Sequence, residues 1–228
     1  NAIQWYEAFK DFEVKVDSQK VGKREFLRKI SSIVGAKYKE NEMSSLVKII
    51  SVAKDSGEIV SSLHDMMDGM KRNPNKIKLT AAGQHGLMSL ISYKSPSVRE
   101  TAVDLASMLQ LMPSGELMNL INTSKTIVPG ESQSIENRVL AIKIMGLDPK
   151  ESSFALLEKM LEPNEPVEIQ LAAVDVLLRS QQDLSTNLLL NKWNLLNPKA
   201  HDAVEAGFLA RPNRSKSLIK AIENGKIK

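Results

Sequence analysis

The 228-residue chain contains no cysteine. That excludes disulfides, thiolate metal sites and a cysteine nucleophile, and it leaves the compartment open. Aromatic residues make up only 4% of the chain, so a core must be assembled from Leu, Ile, Val, Ala and Met. Such a mixture suits helices packed on helices better than a β-sandwich, which draws on aromatic and β-branched residues in period-two runs. No apolar run approaches the roughly 18 residues needed to cross a bilayer. The first residues do not read as a signal peptide, which says little if the sequence is a domain of a longer protein. The 11 glycines are scattered and never form a G-x-x-x-x-G-K-[ST] loop, and a G-x-S-x-G elbow is also missing. Phosphate binding by a P-loop and acyl transfer at a nucleophile elbow therefore have no basis in the residues. Excess charge is scarce as well. With 31 basic against 27 acidic residues the net charge is +4 and the pI about 9.1. This is a mildly basic solvated surface, not the dense stripe of a nucleic-acid binder.

What the chain does contain is a spacing. Ala102, Ala141 and Ala173 each lie in an apolar helical stripe, and each is followed 15 residues later by an apolar pair: Leu117-Met118, Leu156-Leu157 and Leu188-Leu189. A looser fourth copy runs from Val204 to Leu218-Ile219. The same two-helix frame is written repeatedly, which is the signature of a stacked helical array. Four pairs result: 98–111 with 115–121, 135–147 with 152–161, 167–178 with 184–195, and 198–209 with 215–223. Between the second and third copies the register holds at 32 residues, so that Ile135, Val139, Ala141, Ile144 and Met145 map onto Val167, Leu171, Ala173, Val176 and Leu177. From the first copy to the second the offset is 39, the extra residues falling in the loop 122–134. A surface loop is where an array absorbs length at least cost. Small Ala lets paired helices approach, and the Leu pair fills the layer between neighbours.

Residues 1–95 keep helical periodicity and lose the strict register. Helices are expected over 3–12, 23–34 with Gly35 as a stop, 42–53, 57–70 and 77–93, with a turn at Asn73-Pro74-Asn75. Gly83 and Gly86 interrupt the last of these and point to a close helix crossing or a bend. Ser95 and Pro96 read as N-cap and first helical residue of the next helix. Asn197-Pro198 and Asp148-Pro149 repeat that pattern.

Candidate chemistry is sparse. His64, His85 and His201 stand far apart, none with a second ligand residue read at metal spacing, and their expected roles are structural or superficial. Glu162 and Glu165 flank Pro163 as capping and solubility residues. Met43, Met66, Met67 and Met70 read as core fillers, with a haem ligand or adaptable docking surface as the sharper alternative. Trp193 maps onto Leu161 and reads as an inter-repeat core residue. Arg99 and Arg138 occupy matching positions three residues before the repeated Ala, where Gln170 stands in the third copy. Together with Arg179, Arg211 and Arg214 they form the candidate binding set. No catalytic residue, cofactor or metal is expected.

The frame Val98-Arg99-x-x-Ala102-x-x-Leu105 resembles a HEAT repeat, in which an arginine at this position joins a ladder of ion pairs between repeats. The resemblance implies an all-α, right-handed α-solenoid of HEAT/armadillo type with about twelve helices. On that reading, 1–95 holds irregular N-terminal repeats and 96–228 four regular ones, in one continuous solenoid. A second likeness lies at the C-terminal end. Trp193-x-x-Leu196-x-Pro198, Arg211-Pro212 and Leu218-Ile219-x-Ala221-Ile222-Glu223-x-Gly225-x-Ile227 resemble the helical segment of large exported bacterial proteins described as membrane-bound dehydrogenases or haem-binding proteins. Phe26-Leu27 to Ile33-Val34-Gly35-Ala36 is similar to the upstream helices of that family. There the helical region lies between a β-propeller and a cytochrome c domain. The resemblance thus implies a periplasmic or otherwise exported middle domain, a non-catalytic scaffold whose partners are the flanking domains or a docked protein. The chain lacks the C-x-x-C-H haem attachment, so no redox residue carries over. The alternative is a free-standing basic helical-repeat protein of the DNA-glycosylase kind that binds nucleic acid, which requires the five arginines to converge on one concave face.

Overall fold

The computed structural model describes residues 2–10, 17–37, 39–73, 78–112, 115–130, 132–148, 151–180 and 182–227. Phe12, Pro74, Asn75, Ile77, Pro113, Pro149 and Lys228 lie outside the described residues. Those described form thirteen α-helices and one 3-10 turn, with no strand among them. The protein is all-α, and its helices pack on second neighbours along the chain, the contact pattern of a solenoid-like stack. The chain parts into two compact units, residues 1–111 and 112–228.

The first unit contains α1 (Ala2–Lys10), α2 (Asp17–Lys37), α3 (Glu40–Ser51), α4 (Ser56–Met70), α5 (Ala81–Ile91) and α6 (Pro96–Met108). Side chains start several of these helices by satisfying otherwise unpaired amides. Asp55 accepts from the Glu58 N–H at 2.7 Å, and Thr80 accepts from Gly83 N–H at the head of α5. Because Thr80 is the cap, α5 begins later than the periodicity from 77 suggests. Pro96 occupies the first turn of α6, but Ser95 makes no side-chain cap bond; its hydroxyl lies against that of Ser97 instead.

Helix α2 packs on α4, α4 on α6, and α3 on α5. The α2–α4 contact depends on two glycines. A Cβ at Gly35 would lie 2.0 Å from the Met66 carbonyl oxygen, and one at Gly69 would lie 2.1 Å from that of Ser32. Gly35 is therefore no stop: α2 runs on to Lys37, and the glycine marks backbone-to-backbone approach. The expected close crossing at Gly83 and Gly86 is present in the α3–α5 contact, where Cβ atoms would meet Ser44 and the Lys48 backbone. Met43, Met66 and Met70 are fully buried between these helices, alongside Leu46, Leu63 and Leu87. That is the placement of core fillers.

The second unit contains α7 (Gly115–Ile127), α8 (Ile135–Met145), α9 (Glu151–Lys159), α10 (Val167–Arg179), α11 (Asp183–Lys192), the 3-10 turn Trp193–Leu195, α12 (Pro198–Leu209) and α13 (Pro212–Glu223). Helices α8, α10 and α12 pack in succession to form one layer; α9, α11 and α13 succeed one another in the second. The repeated frame explains the core. Ala141, Ala173 and Val204 are buried on the first layer, and Leu157, Leu189 and Leu218 fill the space from the second. Gly146 and Gly207 abut Val176 and Leu178 of α10 so closely that a Cβ would fall under 3 Å from their methyl groups. Within the register, the first repeat is divided: α6 belongs to the first unit and α7 to the second. No helix among the described residues is long and apolar enough to cross a membrane.

Candidate functional site

The repeated position three residues before the small residue is where polar side chains are concentrated inside the second unit. Arg138, on the first turn of α8, is buried. Its Nε donates to the Val128 carbonyl at 2.8 Å, and its Nη2 donates to both carboxylate oxygens of Glu165 at 2.8 Å. One guanidinium thus joins the end of the preceding helix α7 to the loop that opens the next first-layer helix, α10. Gln170 does the same one repeat later without charge. Its Nε2 donates to the Glu162 carbonyl at 2.8 Å, and its Oε1 accepts from the Asn197 backbone N–H at 2.9 Å and from the Asn197 side-chain amide. Asn197 in turn caps α12 by accepting from Ala200 N–H at 3.0 Å. Each residue is a clasp across a repeat junction, and every buried polar atom it presents finds a partner, as burial demands.

The remaining arginines divide. Arg214, on the first turn of α13, is buried and donates to the carbonyls of Leu177, Leu178 and Ser180 at the end of α10. A cation there satisfies carbonyls that have no intrahelical partner and opposes the negative end of the helix dipole. Its guanidinium also lies 5.9 Å from the Phe208 ring centroid. Burial, followed by the charge of Arg211, lowers its pKa from the ordinary arginine value. Arg179 is exposed and pairs with Asp175 one turn earlier at 2.7 Å. Arg211 is exposed at the cap position of α13. Arg99 is half-buried on α6 of the first unit, and its Nε has no hydrogen-bond partner among the described residues. Of the five, Arg179 and Arg214 lie at the end of α10, with Arg211 near enough to Arg214 to lower its pKa, whereas Arg138 belongs to a different junction.

Glu165, expected as a surface solubility residue, is largely buried, whereas the Glu162 side chain stays at the surface with 41% of it exposed. Glu165 is the partner of Arg138. Glu162 holds the Lys192 ammonium at 2.7 Å, with Glu158 at 3.6 Å on its other side. The hydrogen bond to Glu162 is the largest cause of a raised Lys192 pKa. Nothing local in the sequence marks these carboxylates; the signal was the 32-residue register itself, which places Glu165 and Asn197 at equivalent points.

Trp193 is buried in the core of the second unit, its ring edge-on to Phe208 at 6.3 Å and to His201 at 4.4 Å. It sits in the 3-10 turn that ends α11, not in the helix proper. Of the other histidines, His64 lies with Nε2 3.4 Å from the Thr101 hydroxyl, and His85 is exposed. His201 departs from the sequence expectation. It, Asp202 and Glu205 bring one ligand atom each to within 4.8 Å of one another on α12. The i, i+4 spacing of His201 and Glu205 was the overlooked signal, since it sets both on one helix face.

The C-terminal motif also acquires a local meaning. The Gly225 N–H donates to the Ile222 carbonyl and the Lys226 N–H to that of Ala221, with Gly225 at φ +68°. This is a Schellman-type helix stop, and the buried Ile227 that follows is its apolar anchor. The fold and its polar clasps define an all-α protein of solenoid-like packing. No family model, curated protein or solved structure matches the chain.

Proposed function

We propose that this chain is a non-catalytic helical-repeat scaffold, a right-handed HEAT-like module that holds other domains or a docked protein in fixed relation. The observation that carries the proposal is the use made of the repeated polar position. Arg138 and Gln170 direct their donors and acceptors to neighbouring loops and helix ends, so the side chains best suited to chemistry serve to hold helices in register. The HEAT likeness of the Val98–Leu105 frame supports the same reading, since an arginine ladder between repeats is what that frame implies. The run from Trp193 to Ile227 supports a place as the helical linker of a larger exported redox protein of the dehydrogenase and cytochrome kind. The flanking domains would then be its partners and the periplasm its location.

Binding to nucleic acid is the weaker reading because phosphate contacts require exposed cations. Arg138 and Arg214 are buried on protein acceptors, and Arg179 is held by Asp175. Two experiments test the proposal. Titration of a labelled duplex at low and moderate salt is expected to give no saturable binding; tight association that weakens steeply with salt would overturn the scaffold in favour of the nucleic-acid reading. Sequencing the reading frame around the chain is expected to reveal propeller strands upstream and a C-x-x-C-H downstream. A frame with neither would remove the redox parentage.

A further inference from the structure

We propose that the first two turns of α12 form a solvent-open site for a divalent first-row transition cation, with His201, Asp202 and Glu205 as its protein ligands. One imidazole nitrogen and one carboxylate oxygen from each acid already lie within 4.8 Å of one another. Ligand atoms bonded at about 2.1 Å to a common ion stand roughly 3–4 Å apart, so modest rotamer adjustments close the set. Asp202 and Glu205 are exposed and free to make those adjustments. They also carry like charges one turn apart, a repulsion that a bound cation reverses.

A second observation sets the imidazole apart from an ordinary surface histidine. His201 stands three residues before Val204, the place in the frame where Arg138 and Gln170 form their clasps. In α12 that position makes no clasp: among the described residues the imidazole nitrogens have no hydrogen-bond partner. The ring is instead held edge-on against the buried Trp193, at 4.4 Å and an interplanar angle of 72°. A ring held in place, with uncommitted nitrogens and two carboxylates beside it, offers one nitrogen and two oxygen ligands with the remaining positions left to water. Imidazole in the set favours Zn²⁺, Ni²⁺, Co²⁺ or Cu²⁺ over Mg²⁺ and Ca²⁺, which prefer all-oxygen coordination.

Trp193 makes the test optical. In a Trp5→Phe background, Trp193 is the remaining indole. Titration with Ni²⁺ alone in a non-coordinating buffer is expected to quench its emission saturably. Zn²⁺ should reverse the quenching, and Mg²⁺ should leave it unchanged. Glu205→Gln changes an exposed side chain and is expected to keep the fold while weakening Ni²⁺ binding at least about tenfold. His201→Gln should abolish the quenching, with circular dichroism confirming that α12 persists. Absent or non-saturable quenching, or a titration unaltered by Glu205→Gln, would overturn the proposal.

Discussion

The two compact units share close packing at glycines and differ in what is added to it. In the first, neighbouring helices are matched by what is missing: Gly35 and Gly69 admit each other's helix to backbone contact, and Gly83 sits on Ser44. In the second, Gly146 and Gly207 admit side chains of α10 to close approach beside the buried Ala141 and Ala173, and polar clasps at Arg138 and Gln170 also fix which loop lies against which helix. The first device is steric and specifies distance. The second is directional and specifies register, because a hydrogen bond fails when its acceptor moves by one residue. A regular repeat is visible in the second unit because a clasp must recur at the same position. Steric matching imposes no such recurrence, which accounts for the loss of register before residue 95.

The comparison can be broken most severely at the α2–α4 contact. Gly35→Ala and Gly69→Ala each drive a methyl group into a backbone carbonyl that has no rotamer to yield. Each should destabilise by more than about 3 kcal/mol, beyond the ordinary overpacking range and against the small gain in helix propensity. Urea unfolding followed by circular dichroism measures it. A neutral outcome would mean the helices can separate freely. In the second unit, Arg138→Met leaves the Glu165 carboxylate and the Val128 carbonyl without their donor, at an expected cost of about 3 kcal/mol. Gln170→Leu removes an uncharged clasp and should cost about 1–2 kcal/mol in the same assay. If the two substitutions cost the same, charge contributes nothing at these junctions.

The first unit has a further, pH-dependent signature. Burial pushes the Tyr6 phenol up to about 12, although its hydrogen bond with Ser62 at 2.8 Å opposes the shift. Above the ordinary phenol value near 10 the unfolded chain releases this proton while the folded chain retains it. Stability contributed by the neutral phenol is therefore complete below pH 10 and is lost as pH rises towards 12, by up to about 2–3 kcal/mol. Alkaline denaturation of Tyr6→Phe should lack this component; an unchanged profile would remove the tyrosine from the account. The smallest expected effect is a gain. Gly22 lies within α2 with open space around it, so Gly22→Ala should stabilise by about 0.4–1 kcal/mol. The opposite signs at Gly22 and Gly35 would show that contact, not helix position, decides the role of a glycine.

These contrasts explain what the residues disclosed in advance. Most helix positions followed from apolar periodicity and from caps such as Asn197-Pro198, because both act within a few residues; the exception is α7, which runs on to Ile127 through the first part of the stretch 122–134 expected as a loop. The core positions of the second unit followed from the 15-residue frame, since packing against successive neighbours repeats. The roles of Glu162 and Glu165 did not follow: their partners Lys192 and Arg138 are 30 and 27 residues away. Gly35 was misjudged for the same reason, since a helix stop and a point of close approach use the same residue and differ only in the neighbour. Conversely, Ala221, Gly225 and Ile227, conspicuous as a motif, are explained by the stop that ends α13. The trio His201, Asp202 and Glu205 lay in plain spacing but became a candidate site only when Trp193 was placed behind the imidazole.

The account rests most heavily on the claim that Arg138 and Glu165 act as one clasp. A double-mutant cycle of Arg138→Met and Glu165→Gln, read as unfolding free energies, tests it directly. The predicted result is a coupling energy above about 1 kcal/mol, because each residue's contribution requires the other. Additivity to within about 0.3 kcal/mol would contradict it and would make the arginine a packed side chain whose carboxylate neighbour is incidental.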